Sequence, residues 1–228
     1  MSGTHRHDHG RPHAHPHDHG HDQSAASHRH PPQPDLEDGP YTDYMAMTEA
    51  VAGLLIKKKI VTAGELRRMV EIIDSKSPAA GAKLIARAWV DKEFKKRLLK
   101  DVNAAAAEFD IDAGPIPIRC LENTAKVHNV IVCTLCSCYP RLLIGLPPDW
   151  YKSRAYRSRT IREPRAVLKE FGTEIPDDVE VRVHDSTADL RYMVLPMRPK
   201  GTDGMGEKAL AKLVTRDSMI GVTRLEDR

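Results

Sequence analysis

The stretch that decides the fold is Val132-Cys133-Thr134-Leu135-Cys136-Ser137-Cys138-Tyr139, which gathers three of the chain's four cysteines within six residues. The spacing is C-x-x-C-x-C, close enough for three thiolates to converge on one metal ion. Three thiolates leave a tetrahedral zinc site one ligand short. What completes the coordination sphere, and whether the metal is structural or catalytic, decides what the chain does. Immediately upstream, Val127 to Val132 is apolar and β-branched, a strand that leads directly into the cluster.

Further out on the C-terminal side, Glu163-Pro164-Arg165 opens a helix through Val167, Leu168 and Phe171 that Gly172 stops. Val179 to Val183 alternates strictly, as a half-buried strand does, and Arg191 to Pro196 reads as another strand, ended by proline. Glu207 to Val214 reads as a short helix and Ser218 to Val222 as a last strand. On the N-terminal side the pattern is helical. Thr48 is placed to cap a run with Val51, Leu54, Leu55 and Ile56, and Thr62 starts a second with Leu66, Met69, Val70 and Ile73. Pro78 suits the first position of a third helix bearing Leu84, Ile85, Ala88 and Trp89. Asp91 caps a fourth run, through Phe94, Leu98, Leu99 and Val102 to the alanines at 104–107. Short amphipathic helices of this kind bury their stripes against something outside their own segment, the C-terminal half or a partner chain. The expected class is α+β, divided into a tail and linker (1–40), a helical arm (41–112) and a metal-binding domain (113–228).

Composition sets the outer bounds. A chain of 228 residues supports one substantial core or two small domains. Net charge of +3 and 5% aromatics give no case for nucleic acid. No apolar run reaches membrane-spanning length, and polar residues follow Met1, so the expectation is a cytoplasmic protein. There, clustered cysteines point to metal binding or catalysis and not to disulfides. Ten of the twelve histidines lie between His5 and His30, among Asp, Gly and Pro that build no core. That tail reads either as a loose capture site for divalent metal or as a solvated, tag-like extension.

The cluster admits several explanations. Zinc could recruit Cys120 or His128 as fourth ligand, but the two separated cysteine pairs of zinc ribbons are missing. The spacing fits neither common ferredoxin pattern, and a C-x-x-C redox pair would want a thioredoxin-like context. The remaining option is a compact claw. The sulfurs of Cys136 and Cys138 and the intervening backbone nitrogens share a plane about a metal, with Cys133 below it and a sixth position open. Deprotonated amides of this kind demand a strongly polarising transition metal.

The cluster resembles the metal-binding motif of the nitrile hydratase α-subunit family. The likeness extends to Glu122-Asn123-Thr124, Val127 to Val130, Gly145 to Pro148, Trp150-Tyr151-Lys152, Asp185 to Pro196 and Leu213 to Val222. Gly81-Ala82 and Ala86 to Trp89 resemble the family's N-terminal helical arm, so the resemblance spans roughly residues 45–223. It implies a layered α/β (α-β-β-α-like) domain behind that arm. It also implies a low-spin trivalent metal held by the Cys133, Cys136 and Cys138 sulfurs and the Ser137 and Cys138 amide nitrogens. Cys136 would be a sulfinate and Cys138 a sulfenate, matured and held by arginines of a β-subunit. Thr134 matches the cobalt variety, where the iron variety has serine. Cobalt(III), delivered by a small activator protein, is therefore expected over iron. Cys120 lies outside the motif and reads as a small buried hydrophobe.

The implied reaction is hydration of a small nitrile to its amide, with Cys136 and Cys138 at the reacting centre. Either the Cys138 sulfenate oxygen or a hydroxide attacks the nitrile carbon. Tyr139, Asp185 and Arg191 match positions around the metal and the subunit interface. Asp185 and Arg191 read alternatively as a surface ion pair. Arg141 departs from the family, which usually places tryptophan there. The related thiocyanate hydrolase γ-subunit carries Cys-Tyr-Pro-Arg, and a guanidinium suits an anionic substrate. A thiocyanate hydrolase is thus the alternative enzyme, and a non-catalytic cobalt store or metal chaperone the alternative of another class.

Overall fold

The computed structural model describes residues 41–227 of the chain. The His-rich tail and linker, residues 1–40, lie outside the described residues. α1 (Asp43–Lys57) begins earlier than Thr48: Thr42 is its cap, accepting from the Met45 N–H. Thr48 sits inside the helix, where its hydroxyl donates to the Tyr44 carbonyl at 2.8 Å, an arrangement that lets threonine tolerate a helix interior. α2 (Ala63–Asp74) starts at Thr62 as expected, in a reciprocal capping box with Glu65. Neither α1 nor α2 contains a buried residue.

The core begins with α3 (Ala79–Val90), which starts one residue later than expected because Pro78 is its cap. Asp91 caps α4 (Lys92–Lys100) through the Glu93 and Phe94 N–H groups. The single run expected to reach the alanines is cut at Asp101, whose carboxylate accepts from Ala104 and opens α5 (Val102–Ala107). The stripes of these three helices are buried within the chain: Leu84, Ile85, Phe94, Leu98 and Val102 join Ile131, Leu143, Met193 and Leu195 in one apolar cluster.

Four strands follow, paired as two parallel ribbons. β1 (Ile118–Glu122), which the sequence pattern does not announce, pairs with β4 (Arg191–Leu195). β2 (Val127–Val132) pairs with β3 (Glu180–Asp185), with Val132 opposite Asp185. From His128 onward β2 is buried on every residue, which suits its continuous apolar run. The crossover from β2 to β3 carries α6 (Arg141–Ile144), α7 (Asp149–Lys152), α8 (Arg154–Arg162) and α9 (Pro164–Glu170). Pro164 stands at the start of α9, and Gly172 follows at φ 76°.

After β4 come α10 (Glu207–Ala211) and α11 (Arg216–Ile220). The strand expected over Ser218–Val222 is therefore a helical turn. Thr215 and Ser218 form a capping box that starts it, and Gly221 ends it at φ 91°. The chain is α+β, as its pattern of elements implies. No helix among the described residues is long and apolar enough to cross a membrane.

Candidate metal centre

β2 delivers the first sulfur. Cys133 follows directly after the strand and is 1% exposed, whereas Cys136 is exposed and Cys138 half-buried. The Cys133 and Cys136 sulfurs are 3.5 Å apart, and those of Cys136 and Cys138 3.2 Å apart. All three Sγ atoms lie within 4.8 Å of one another, and they are the single such grouping of potential ligands among the described residues.

The loop that carries them is held by its backbone. The Thr134 N–H donates to Asp185 Oδ1 at 2.9 Å and its hydroxyl to Oδ2 at 2.6 Å. The β2–β3 register sets up this pairing, since Asp185 stands opposite Val132. The Cys136 N–H donates to Cys133 Sγ at 3.2 Å. Arg157 Nη1 of α8 donates to the Leu135 carbonyl at 2.9 Å, and the Tyr151 hydroxyl of α7 to the Cys138 carbonyl at 2.9 Å.

Hydrogen bonds from Cys138 and Cys133 hold the Cys136 thiol down at about 7. Burial, reinforced by the neighbouring thiols, pushes Cys138 up to about 12, and the Arg191 charge opposes that rise. The first proton lost belongs to the cluster as a whole. Such a group is a soft donor set, matched to transition metals and not to magnesium or calcium. A closed zinc site would need a fourth side chain, and neither expected candidate arrives. Cys120 is buried on β1, outside the sulfur group, and desolvation pushes its thiol up to about 12. His128 has Nε2 2.7 Å from the Gly221 carbonyl and Nδ1 3.3 Å from the Asn123 amide.

The remaining expected residues fall into two places. Thr134 and Asp185 meet at the first turn of the loop. No ion pair joins Asp185 to Arg191 among the described residues. Tyr139 is buried, its ring 5.1 Å from that of Tyr151. Arg141 is exposed at the start of α6, and Arg191 at the start of β4 has a buried Nη1 with no partner among the described residues. Tyr139, Arg141 and Arg191 line a cavity of 270 Å³ closed on one side by Met69 and Ile73 of α2. Sequence reasoning passes over Tyr151 and Arg157 as loop partners. Tyr151 lies within the Trp150–Lys152 motif, but nothing in its spacing shows what the hydroxyl holds.

The family described as "Nitrile hydratase, alpha chain" matches residues 42–223. The cobalt-containing nitrile hydratase subunit alpha of Pseudonocardia thermophila is 50% identical over 180 residues, covering 78% of this chain and 88% of that protein. Thiocyanate hydrolase subunit gamma of Thiobacillus thioparus is 40% identical over 203 residues, covering 84% and 83%. Among solved structures, a double mutant of the Fe-type nitrile hydratase from Comamonas testosteroni superposes with a TM-score of 0.75 at 42% identity, covering 80% of this chain and 90% of that one. The chain belongs to the nitrile hydratase α-chain family.

Proposed function

We propose that this chain is the metal-bearing α-subunit of a cytoplasmic hydro-lyase that converts small nitriles to amides. The observation that carries the reading is the convergence of the three sulfurs of Cys133, Cys136 and Cys138 within 4.8 Å of one another. The residues fit a cobalt(III) ion: the donors are soft, no fourth side chain closes the set, and Cys136 is open to solvent. Cys133, Cys136 and Cys138 would hold it through sulfur, and Ser137 and Cys138 also through backbone nitrogen. When bound, the ion supplies Lewis-acid polarisation of the nitrile or of water. Thr134 and the cobalt-containing relative support cobalt, while the Fe-type structure marks iron as the competitor.

The chain's own residues shape the surroundings. Cys136 and Cys138 would act as sulfinate and sulfenate, with dioxygen as the external oxidant and source of the added oxygens, and the Arg191 guanidinium offsets negative charge at Cys138. Asp185 fixes the entry to the loop through Thr134, and Tyr139 walls one side. A β-subunit completes the pocket and packs on the arm formed by α1 and α2, with the rest of the chain in an α-β-β-α layered arrangement. A small activator protein inserts the metal.

Arg141 supports a second reading, thiocyanate hydrolysis, because it brings a second guanidinium to the cavity that Arg191 lines. Intact-mass and metal analysis of the chain co-purified with its partner tests the centre. Cobalt with three added oxygens on Cys136 and Cys138 is expected, and stoichiometric zinc with unmodified cysteines would overturn it. Turnover of acetonitrile set against thiocyanate decides the substrate. Removing residues 1–40 leaves that turnover largely intact, whereas a metal-store role would be lost with the tail.

A further inference from the structure

The peptide groups of the cysteine loop account for one another in an unusual way. Thr134 N–H goes out to Asp185 at 2.9 Å, whereas Cys136 N–H turns in to Cys133 Sγ at 3.2 Å. Backbone N–H groups need partners, and here the Cys136 N–H finds a sulfur. Something must hold it in that direction. In a trans peptide the C=O and N–H point opposite ways, so a grip on the oxygen sets where the N–H points.

Two side chains outside the motif supply such grips. Arg157 Nη1 takes the Leu135 oxygen at 2.9 Å, and the N–H of that same peptide is the one that donates to Cys133 Sγ. Tyr151 takes the Cys138 oxygen at 2.9 Å, fixing the peptide through which the chain leaves the third sulfur. Tyr151 is fully buried, and its ring is wedged at 5.1 Å from Tyr139 and 5.6 Å from Tyr156, so its hydroxyl has little freedom to swing away. Arg157 is half-buried, and the bond to Leu135 is the one hydrogen bond its side chain makes among the described residues.

We infer that Tyr151 and Arg157 are positioning residues for the metal centre, holding the Leu135 and Cys138 carbonyls on either side of the Ser137 and Cys138 amides so that the loop keeps its three sulfurs converged. This rests on the claw reading under Proposed function. They touch neither metal nor substrate; they set the geometry that an amide-ligated ion requires before it arrives.

The test uses the full chain co-expressed with its partner subunit, as wild type, Tyr151→Phe, Arg157→Met and Arg157→Lys. The readouts are cobalt bound per chain at limiting cobalt, the sulfur-to-metal charge-transfer band and the oxygen count on the cysteines. Tyr151→Phe and Arg157→Met are expected to lower cobalt uptake about tenfold or more, as loss of outer partners does at other metal sites, and to move the band. Arg157→Lys, which keeps a donor, is expected to fall between them and wild type. Tyr151→Phe removes one oxygen and keeps the ring, so it decides the matter if Arg157→Met does not fold. Folded variants with wild-type cobalt, band and oxidation would overturn the positioning role alone. A wild-type complex with unmodified cysteines and no cobalt would overturn the hydratase reading, and this inference with it.

Discussion

His128 shows how a single residue can look like a ligand and serve another purpose. It lies five residues before Cys133 on a buried strand, yet both ring nitrogens are engaged with Gly221 and Asn123. Burial, aided by the Arg224 charge, holds it below its ordinary value of 6.5, against a smaller opposing effect of the Gly221 carbonyl. His184 is depressed likewise, by burial and the Arg182 charge. Folded chains therefore protonate these rings at lower pH than unfolded chains do. Between the folded values and 6.5 the unfolded chain binds more protons, so stability rises with pH there. The contribution is complete above 6.5 and is lost as pH falls towards the folded values. Each unit of depression is worth about 1.4 kcal/mol. Urea unfolding of His128→Gln on either side of pH 6.5 should show a shallower acid loss than wild type. Equal acid losses in the two proteins would show that His128 does not carry the effect.

At the scale of elements, α11 and β2 depend on one contact. A Cβ at Gly221 would stand 2.0 Å from the Asn129 carbonyl oxygen of β2, and its φ of 91° already disfavours any side chain. Gly221→Ala should therefore cost about 3 kcal/mol, read as a lowered melting temperature, because backbone and not a flexible side chain blocks the methyl. An unchanged melt would mean that α11 can lift off β2 freely. The same region shows where sequence stops being legible. Met219-Ile220-Gly221-Val222 is a short apolar run, and such runs fit a strand or a buried turn equally well. The capping pair Thr215 and Ser218 is the local signal for a helix. β1 escapes a reading by pattern because its alternation lasts only from Ile118 to Cys120 before Glu122 places a charge on the same face. By contrast β2, with its unbroken β-branched run, and the starts of α2 and α4, with Thr62 and Asp91 as caps, can be read directly. The sulfur cluster is legible because its members are adjacent in sequence. Its grips are not, since Tyr151 and Arg157 lie 13 and 22 residues beyond the carbonyls they hold.

For the whole molecule, the uneven distribution of burial matters most. From α3 onward one apolar cluster ties both halves of the chain together, whereas α1 and α2 bury nothing and leave Met45, Val51, Leu54, Met69 and Val70 in the open. Contiguous apolar surface on a helix pair is a mark of an interaction face, which fits an arm laid against a partner subunit. Val51 and Leu54 are three residues apart on α1, so they share one side of it, and each is 51% exposed. Replacing both with glutamate should leave the melting of the isolated chain within about 0.5 kcal/mol of wild type, since neither contributes to the core. Assembly with the β-subunit is a different matter. Two charges placed in a desolvated contact should weaken it by about tenfold or more, because an interface core rejects unpaired charge. Sedimentation of the co-expressed subunits would read the loss directly, and nitrile turnover should fall in proportion to the assembled fraction. If the double variant assembles and turns over normally, the face on α1 serves some other contact. If its isolated melt drops sharply, α1 belongs to the chain's own core and the arm must be sought in α2.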